Sequence, residues 1–282
     1  MAELAYVNGT FCEIASAKVS IEDRGFQFAD GVYEVVVSYG GKPFRLNEHI
    51  ERLKRSLDAI DLSVDLERIG LAYIVQEGIN RAGFDPAMVY LQITRGPQSR
   101  AFAYGSAPAP TVVATFKAKP IIGASEREAG ISVVTVEDFR WTRCEIKSVA
   151  LLPAVLAKNR ALGDGFDDAV FVASSGEVRE ATSANVFAVI DGVLLTPTMS
   201  SRILQGVTRG YVLECAQRAE VRAEQGALTV SALESATEAF ISSTTADVMP
   251  ITKVNGKTIG SGRMGPVTQT LYDAYVAGLP IA

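Results

Sequence analysis

Lys147 is the residue of this 282-residue chain whose surroundings most suggest chemistry. It lies between Ile146 and the stretch Ser148-Val149-Ala150-Leu151-Leu152, whereas most other lysines (Lys42, Lys54, Lys117, Lys119, Lys253, Lys257) stand in turns, in a Pro-punctuated stretch or on helix faces. An amine partly removed from water is disfavoured as an ammonium, so its neutral, nucleophilic form becomes available and can form a Schiff base with an aldehyde. The same context suits a lysine whose stem packs while its head reaches water. Position alone leaves both readings open. His49 is the only histidine, so a histidine-based triad has one residue to build on and a multi-histidine zinc site cannot be assembled. No metal site is expected, and a general base must come from lysine, a carboxylate, tyrosine or cysteine.

Two segments offer donors for an anion. Leu204-Gln205-Gly206-Val207-Thr208-Arg209 ends a turn and opens a helix, whose first N–H groups lack intrahelical partners. Ser242-Ser243-Thr244-Thr245 follows a strand and is a run of small hydroxyl donors. Neither matches a glycine-rich nucleotide-binding pattern, and each also reads as ordinary capping. Glu180, in a polar stretch read as a loop, could pair with a ring nitrogen or simply be solvated. Arg100, in Thr94-Arg95-Gly96-Pro97-Gln98-Ser99-Arg100, could grip a carboxylate in fork geometry or lie on the surface. Trp141 and Arg143 are read as structural. Together, these residues make up the parts a pyridoxal phosphate (PLP) site needs: a lysine, an acid for the ring, a phosphate cup and a substrate anchor.

The elements that must position them are mixed. Ala5-Tyr6-Val7, Asn8-Gly9 and Thr10-Phe11 predict a hairpin, and Tyr33 to Tyr39 a strand followed by Gly40-Gly41 and a return through Phe44. Apolar residues at Leu46, Ile50, Leu53, Leu57 and Ile60 predict a helix capped near Asn47, and a second helix runs from about Leu66 to Ala82. Strands follow at 88–94 and 111–116. Lys117-Ala118-Lys119-Pro120 suggests a linker. Beyond it come strands at 131–136, 169–173, 186–190, 193–196 and 238–241, a helix over 149–163, another opening near Gly206, and a closing helix. The order is not strict β-α-β alternation, so an α/β or α+β fold is expected. The expected division is a small N-terminal domain over 1–117, a linker at 118–122 and a larger domain over 123–282.

Hydrophobic residues make up 48% of the chain and charged ones 21%, with a net charge of −5 and no basic block. That balance argues against nucleic acid or an anionic membrane as partner. Three distant cysteines (Cys12, Cys144, Cys215) do not form a disulfide framework. No leader-like start and no long apolar run are found, so a cytoplasmic location is expected.

At this point the chain resembles the fold-type IV PLP-dependent enzymes, and within them the D-amino-acid transaminase branch of the branched-chain and D-alanine aminotransferase-like family. The resemblance is colinear over nearly the whole chain. Its strongest segments are EDRGFQFADGVYE (22–34), NEHIERL (47–53), QITRGPQSR (92–100), EDFRWTRCEIKS (137–148), EATSANVF (180–187), LQGVTR (204–209) and SSTTADVMPI (242–251). It implies a two-domain fold with the larger C-terminal domain binding PLP. It further implies that Lys147 bonds the cofactor aldehyde and shuttles the α-proton, and that Glu180 faces the pyridine nitrogen. Arg52, Val207, Thr208 and Thr244 would hold the phosphate; Ser183 and Ser243 would lie around the ring, and Leu204 would pack on it. Tyr33 and Arg100 would trap the substrate carboxylate, Arg100 being offered by the neighbouring subunit of a homodimer, with Glu34 a nearby supporting carboxylate.

One position departs from the branch. Where it carries a histidine two residues after the trap arginine, this chain has Phe102. The implied reaction is ping-pong transfer of an amino group from a D-amino acid such as D-alanine to pyruvate or 2-oxoglutarate. Phe102 leaves room for an (R)-selective amine transaminase. A branched-chain aminotransferase or aminodeoxychorismate lyase is a more distant alternative, and a non-catalytic PLP binder is the alternative of another class.

Overall fold

A computed structural model describes residues 2–105 and 109–281. Its residues separate into two compact units. One comprises residues 1–120, 146–150 and 279–282; the other comprises 121–145 and 151–278.

The first unit is a six-stranded sheet with helices against it. Its elements are β1 (Leu4–Val7), β2 (Thr10–Glu13), α1 (Arg24–Phe28), β3 (Gly31–Tyr39), β4 (Lys42–Pro43), α2 (Leu46–Asp58), α3 (Leu66–Ile69), α4 (Leu71–Ala82), β5 (Ala87–Thr94) and β6 (Thr111–Ala118). The sheet order is β2-β1-β6-β5-β3-β4, antiparallel throughout. Alternation puts Val32, Glu34 and Val36 of β3 on the buried face. There Leu53 and Leu57 of α2, Ile74 and Ile79 of α4, and Phe116 join one apolar core. The Asn8-Gly9 hairpin is present.

Two expected helices are revised. The run 66–82 is broken at Gly70, whose φ of +71° closes α3 and opens α4, a left-handed conformation that glycine adopts without Cβ strain. Asn47 does not cap α2; Arg45 precedes the helix in a left-handed conformation and Asn47 lies inside its first turn.

The second unit is built on a nine-stranded mixed sheet. Its elements are α5 (Ala124–Ala129), β7 (Ile131–Glu137), α6 (Leu152–Gly163), β8 (Asp168–Val172), β9 (Val178–Ala181), β10 (Asn185–Ile190), β11 (Val193–Pro197), α7 (Val207–Arg218), β12 (Ala223–Gly226), α8 (Val230–Ser235), β13 (Glu238–Ser243), β14 (Asp247–Val254), β15 (Lys257–Thr258) and α9 (Pro266–Ala277). The order is β12-β11-β10-β13-β14-β7-β8-β9, with β15 on β14. Pairs β11/β12, β14/β7 and β7/β8 are parallel. Both faces of β8, β10 and β13 are buried, so residues 169–172, 186–190 and 239–241 within them are continuous apolar runs rather than alternating ones.

The helix expected over 149–163 begins only at Leu152. Residues 146–150 instead lie along β3, with an isolated bridge between Ser148 and Val32, Tyr33 N–H donating to the Lys147 carbonyl (2.9 Å) and Val149 N–H to the Gly31 carbonyl (3.1 Å). Pro153 suits the first turn of α6, where its missing N–H would have had no intrahelical partner.

Candidate active site

In the first unit, β3 and α2 converge on the segment that carries Lys147. The Lys147 backbone is held at both ends, its carbonyl by Tyr33 and its N–H by the Ser56 hydroxyl of α2 (3.2 Å). Its side chain is half-buried, with Nζ 4.2 Å from the centre of the Tyr33 ring. Tyr33 in turn stacks on Tyr90 at 5.5 Å, and the Tyr90 hydroxyl donates to Gln92 (2.7 Å). Burial, with Tyr33 alongside, pushes the Tyr90 phenol up to about 12, so it stays protonated at neutral pH. An amine fixed against an aromatic face by a clamped backbone is placed for nucleophilic chemistry.

The next residue of β3 points the other way. Glu34 is 0% exposed and receives Arg52 at both carboxylate oxygens (2.6 and 2.8 Å) and His49 Nδ1 at 2.7 Å. His49, Arg52 and Ser56 recur at three and four residues, so α2 presents all three on one face. Burial alone would raise the Glu34 carboxyl, but Arg52 and His49 overcome it and hold the group down to about 2. Burial lowers the His49 imidazole below its ordinary value, Glu34 only partly opposing, so the ring is neutral at pH 7.

These shifts predict acid sensitivity. Glu34 binds its proton less readily folded than unfolded, so its stabilisation is present above pH 4.5 and lost as pH falls towards 2, on the order of 3 kcal/mol. The lowered His49 acts in the same direction from its ordinary 6.5 downward. Denaturant unfolding measured across pH should therefore give a plateau above about pH 7 and a steady decline below it. A stability that rises on acidification from pH 7 to 4 would contradict the pairing.

Arg100 and Phe102 lie on another loop of the same unit. The Arg100 guanidinium sits 4.7 Å from the Phe28 ring centre, and Phe102, 91% exposed, packs its ring 5.8 Å from Phe28. Buried Arg24 holds this loop by donating to the Ala101 and Phe102 carbonyls and to Asp30. Thus Tyr33 groups with Lys147, while Arg100 and Phe102 form their own cluster.

In the second unit, Glu180 is on strand β9 rather than in a loop. β9 is a four-residue edge strand paired to β8 across an irregular register, and its polar residues hide it from the apolar pattern. The Glu180 side chain, 6% exposed for the whole residue, accepts from Arg140 Nη1, from the Leu204 N–H (3.0 Å) and from Asn185 Nδ2 (3.4 Å). Asn185 also donates to the Leu204 carbonyl (3.0 Å). Glu180 and Leu204 are thereby brought into direct contact.

Three residues on, α7 begins at Val207 with Thr208 buried in its first turn. Its N-cap is Gly206, which has no capping side chain; a Cβ there would lie 2.0 Å from Asn185 Oδ1, so only glycine fits. Ser183 is exposed at the turn after β9, which Thr182 anchors by donating to Asp168 (2.6 Å). Ser243 and Thr244 lie at the β13–β14 turn, half-exposed.

Arg140, Asn185 and the Ser56 anchor escape the sequence reading. Arg140 also donates twice to Asp138 and lies 4.3 Å from the Phe171 ring centre. Burial works against its charge, yet Asp138 and Glu180 raise its pKa beyond the usual arginine value. Burial likewise pushes the nearby Cys144 thiol up to about 11, which makes it a packing residue and not a thiolate.

The model of the family "Amino-transferase class IV" matches residues 31–254. The chain belongs to the class IV aminotransferases. Among relatives of this aminotransferase, the D-alanine aminotransferase of Bacillus licheniformis is 39% identical over 269 residues, covering 95% of this chain and 94% of that one. The D-alanine aminotransferase of Listeria monocytogenes is 36% identical over 280 residues, covering 96% and 94%.

Its fold is shared with solved branched-chain amino acid aminotransferases. The Escherichia coli enzyme aligns with a TM-score of 0.89 at 24% identity over 99% of this chain and 95% of that one, a likeness of fold alone. The Thermoproteus uzoniensis enzyme, solved with norvaline, aligns with a TM-score of 0.85 at 25% identity over 97% and 93%. Another branched-chain enzyme, solved with pyridoxamine 5'-phosphate, aligns with a TM-score of 0.85 at 26% identity over 98% and 93%.

Proposed function

We propose that this aminotransferase uses PLP and moves an amino group from a D-amino acid to a 2-oxo acid, with Lys147 as the catalytic residue. The near-full-length likeness to D-alanine aminotransferases carries the choice of substrate. The clamped Lys147 amine beside Tyr33 carries the choice of catalyst.

The residues present fit the cofactor. Its phosphate suits the first turn of α7, where Val207 and Thr208 offer N–H groups and a hydroxyl at an end with no capping side chain. Thr244 adds a hydroxyl; the family resemblance assigns Arg52, whose guanidinium Glu34 orients within its own unit, to the same phosphate. A buried carboxylate held by Arg140, Asn185 and the Leu204 N–H suits a protonated ring nitrogen, the role assigned to Glu180. Ser183 and Ser243 are assigned to the ring's surroundings, and Leu204 to packing on it.

When bound, PLP supplies an aldehyde for covalent attachment of amines and a ring that accepts the electron pair released at the α-carbon. Lys147 Nζ would hold the cofactor aldehyde at rest and, once the donor's amine had displaced it, would be free to take the donor's α-proton and return it. Glu180 keeps the ring nitrogen protonated, so that acceptance of charge is favourable. Tyr33 and Arg100 hold the substrate carboxylate. The donor leaves as a 2-oxo acid before the acceptor, pyruvate or 2-oxoglutarate, binds, giving ping-pong order.

The proposal extends to a cytoplasmic homodimer in which Arg100 and Phe102 serve the partner copy's active site. Its support is the exposure of Arg100 and Phe102 and an exposed apolar stretch on α6 formed by Leu152, Val155 and Leu156. Among the described residues no helix is long and apolar enough to cross a membrane.

Phe102 favours a second reading, an (R)-selective amine transaminase, because an apolar ring beside Arg100 offers no second donor to a carboxylate. A donor panel with pyruvate or 2-oxoglutarate as acceptor separates the two. D-alanine is expected to exceed L-alanine by at least about a hundredfold in kcat/KM and to exceed (R)-1-phenylethylamine clearly. Preference for the amine would overturn the D-amino-acid assignment.

A further inference from the structure

The turn between β13 and β14 holds an unusual conformation from behind. Ser243 pairs with Asp247 across the hairpin, leaving Thr244, Thr245 and Ala246 as a three-residue loop, and Asp247 takes a left-handed φ of +58°. Such loops place glycine most readily at that position, so an aspartate there must be held by its neighbours. Asp247 is buried and accepts from the Tyr275 hydroxyl of α9 (3.3 Å).

Arg127 of α5, only 3% exposed, reaches the same turn with both terminal nitrogens. Nη1 donates to the carbonyls of Ala246 (2.9 Å) and Val248, and Nη2 to Asp247 Oδ2 (3.3 Å). Its guanidinium lies 4.4 Å from the centre of the Tyr272 ring. On the other side of the turn, Ser243 Oγ accepts from Ala246 N–H (3.1 Å), and residues 243–246 remain half-exposed. One buried guanidinium therefore binds two backbone carbonyls and the Asp247 carboxylate of the segment that follows Ser243 and Thr244.

Arg127 Nε is buried with no acceptor among the described residues. A buried donor without a partner and a non-glycine residue in left-handed conformation both cost free energy. A simple packing role would be met more cheaply by an apolar residue, whereas a planar fork fixes several carbonyls in one geometry.

We infer that Arg127 is a positioning residue for the phosphate of the cofactor: it fixes the Thr244–Asp247 turn so that the hydroxyl of Thr244 is preorganised for the anion. Arg127 does not touch the phosphate; it acts through the backbone carbonyls of Ala246 and Val248 and the carboxylate of Asp247. This rests on the reading of Thr244 as a phosphate ligand and adds the element that holds it.

The test compares PLP with pyridoxal, which lacks the phosphate. The PLP dissociation constant is measured by equilibrium dialysis of the holoenzyme, and that of pyridoxal on the same preparation after cofactor exchange. Arg127→Gln should weaken PLP about tenfold while leaving pyridoxal within about twofold of the unaltered protein. Arg127→Lys, which keeps the charge but not the fork, should fall between. Equal weakening of both ligands would reduce Arg127 to a general structural role and overturn the inference, as would unchanged PLP affinity. Should Arg127→Gln not fold, Arg127→Lys and Tyr275→Phe carry the same comparison. An unaltered protein that binds pyridoxal as tightly as PLP would refute the phosphate reading itself, and this inference with it.

Discussion

Lys147→Ala is expected to reduce transamination by at least about three orders of magnitude, leaving trace turnover. General acid–base transfer contributes roughly 10²–10⁴-fold, and loss of the attached nucleophile adds to that. The fold should survive, because the contacts that clamp this residue are made by its backbone: the carbonyl with Tyr33 N–H and the N–H with Ser56. Alanine keeps both. The side chain gives up a half-buried stem and its position over the Tyr33 ring, a contact worth roughly 0.5–2 kcal/mol. The thermal midpoint should therefore shift by only a few degrees. An alanine variant with more than about a tenth of normal kcat would exclude Lys147 as the proton carrier.

Glu34→Gln is expected to have the largest effect on stability. The carboxylate neutralises Arg52, itself buried, through two short hydrogen bonds. An amide presents one acceptor and turns its NH₂ towards a guanidinium that has only donors. Breaking one member of such a pair leaves an uncompensated buried charge, at about 3–5 kcal/mol. Urea unfolding should register that loss, and cofactor retention should weaken because α2 also supplies Ser56 to the Lys147 backbone. Replacing both partners by apolar residues, as in Glu34→Leu with Arg52→Leu, should recover a substantial part of the stability while cofactor affinity stays low. A single Glu34→Gln change costing less than about 1 kcal/mol would show that the pair is not desolvated as described.

Much of the molecule is legible in its residues, and what is not has physical causes. Lys147 stands out because a charged residue beside an apolar run needs a reason, and β3 because Tyr33 to Tyr39 is rich in β-branched and aromatic residues. The start of α7 at Gly206 can be read from its turn chemistry, but not the Asn185 amide that forbids any larger residue there. That contact joins residues distant in sequence. Val149 and Ala150 read as helix because Val149 to Leu152 satisfies a helical pattern locally, whereas pairing with β3 is a tertiary choice. Glu180 reads as loop because an edge strand with polar residues lacks the alternation that marks half-buried strands. Arg140 is silent in the sequence because nothing in Asp138-Phe139-Arg140 shows that its guanidinium reaches Glu180, forty residues on in the chain. His49, Arg52 and Ser56 share a helix face that the periodicity predicts, but the buried carboxylate they surround is disclosed only by the packing of α2 on β3.

Reductive trapping tests the central claim most directly. Borohydride treatment of the holoenzyme, followed by peptide mapping, fixes the cofactor to whichever amine it was bonded to. The expected result is a single labelled peptide containing Ile146, Ser148 and a modified Lys147. A label on a different lysine, or a protein that takes up none, would contradict the account.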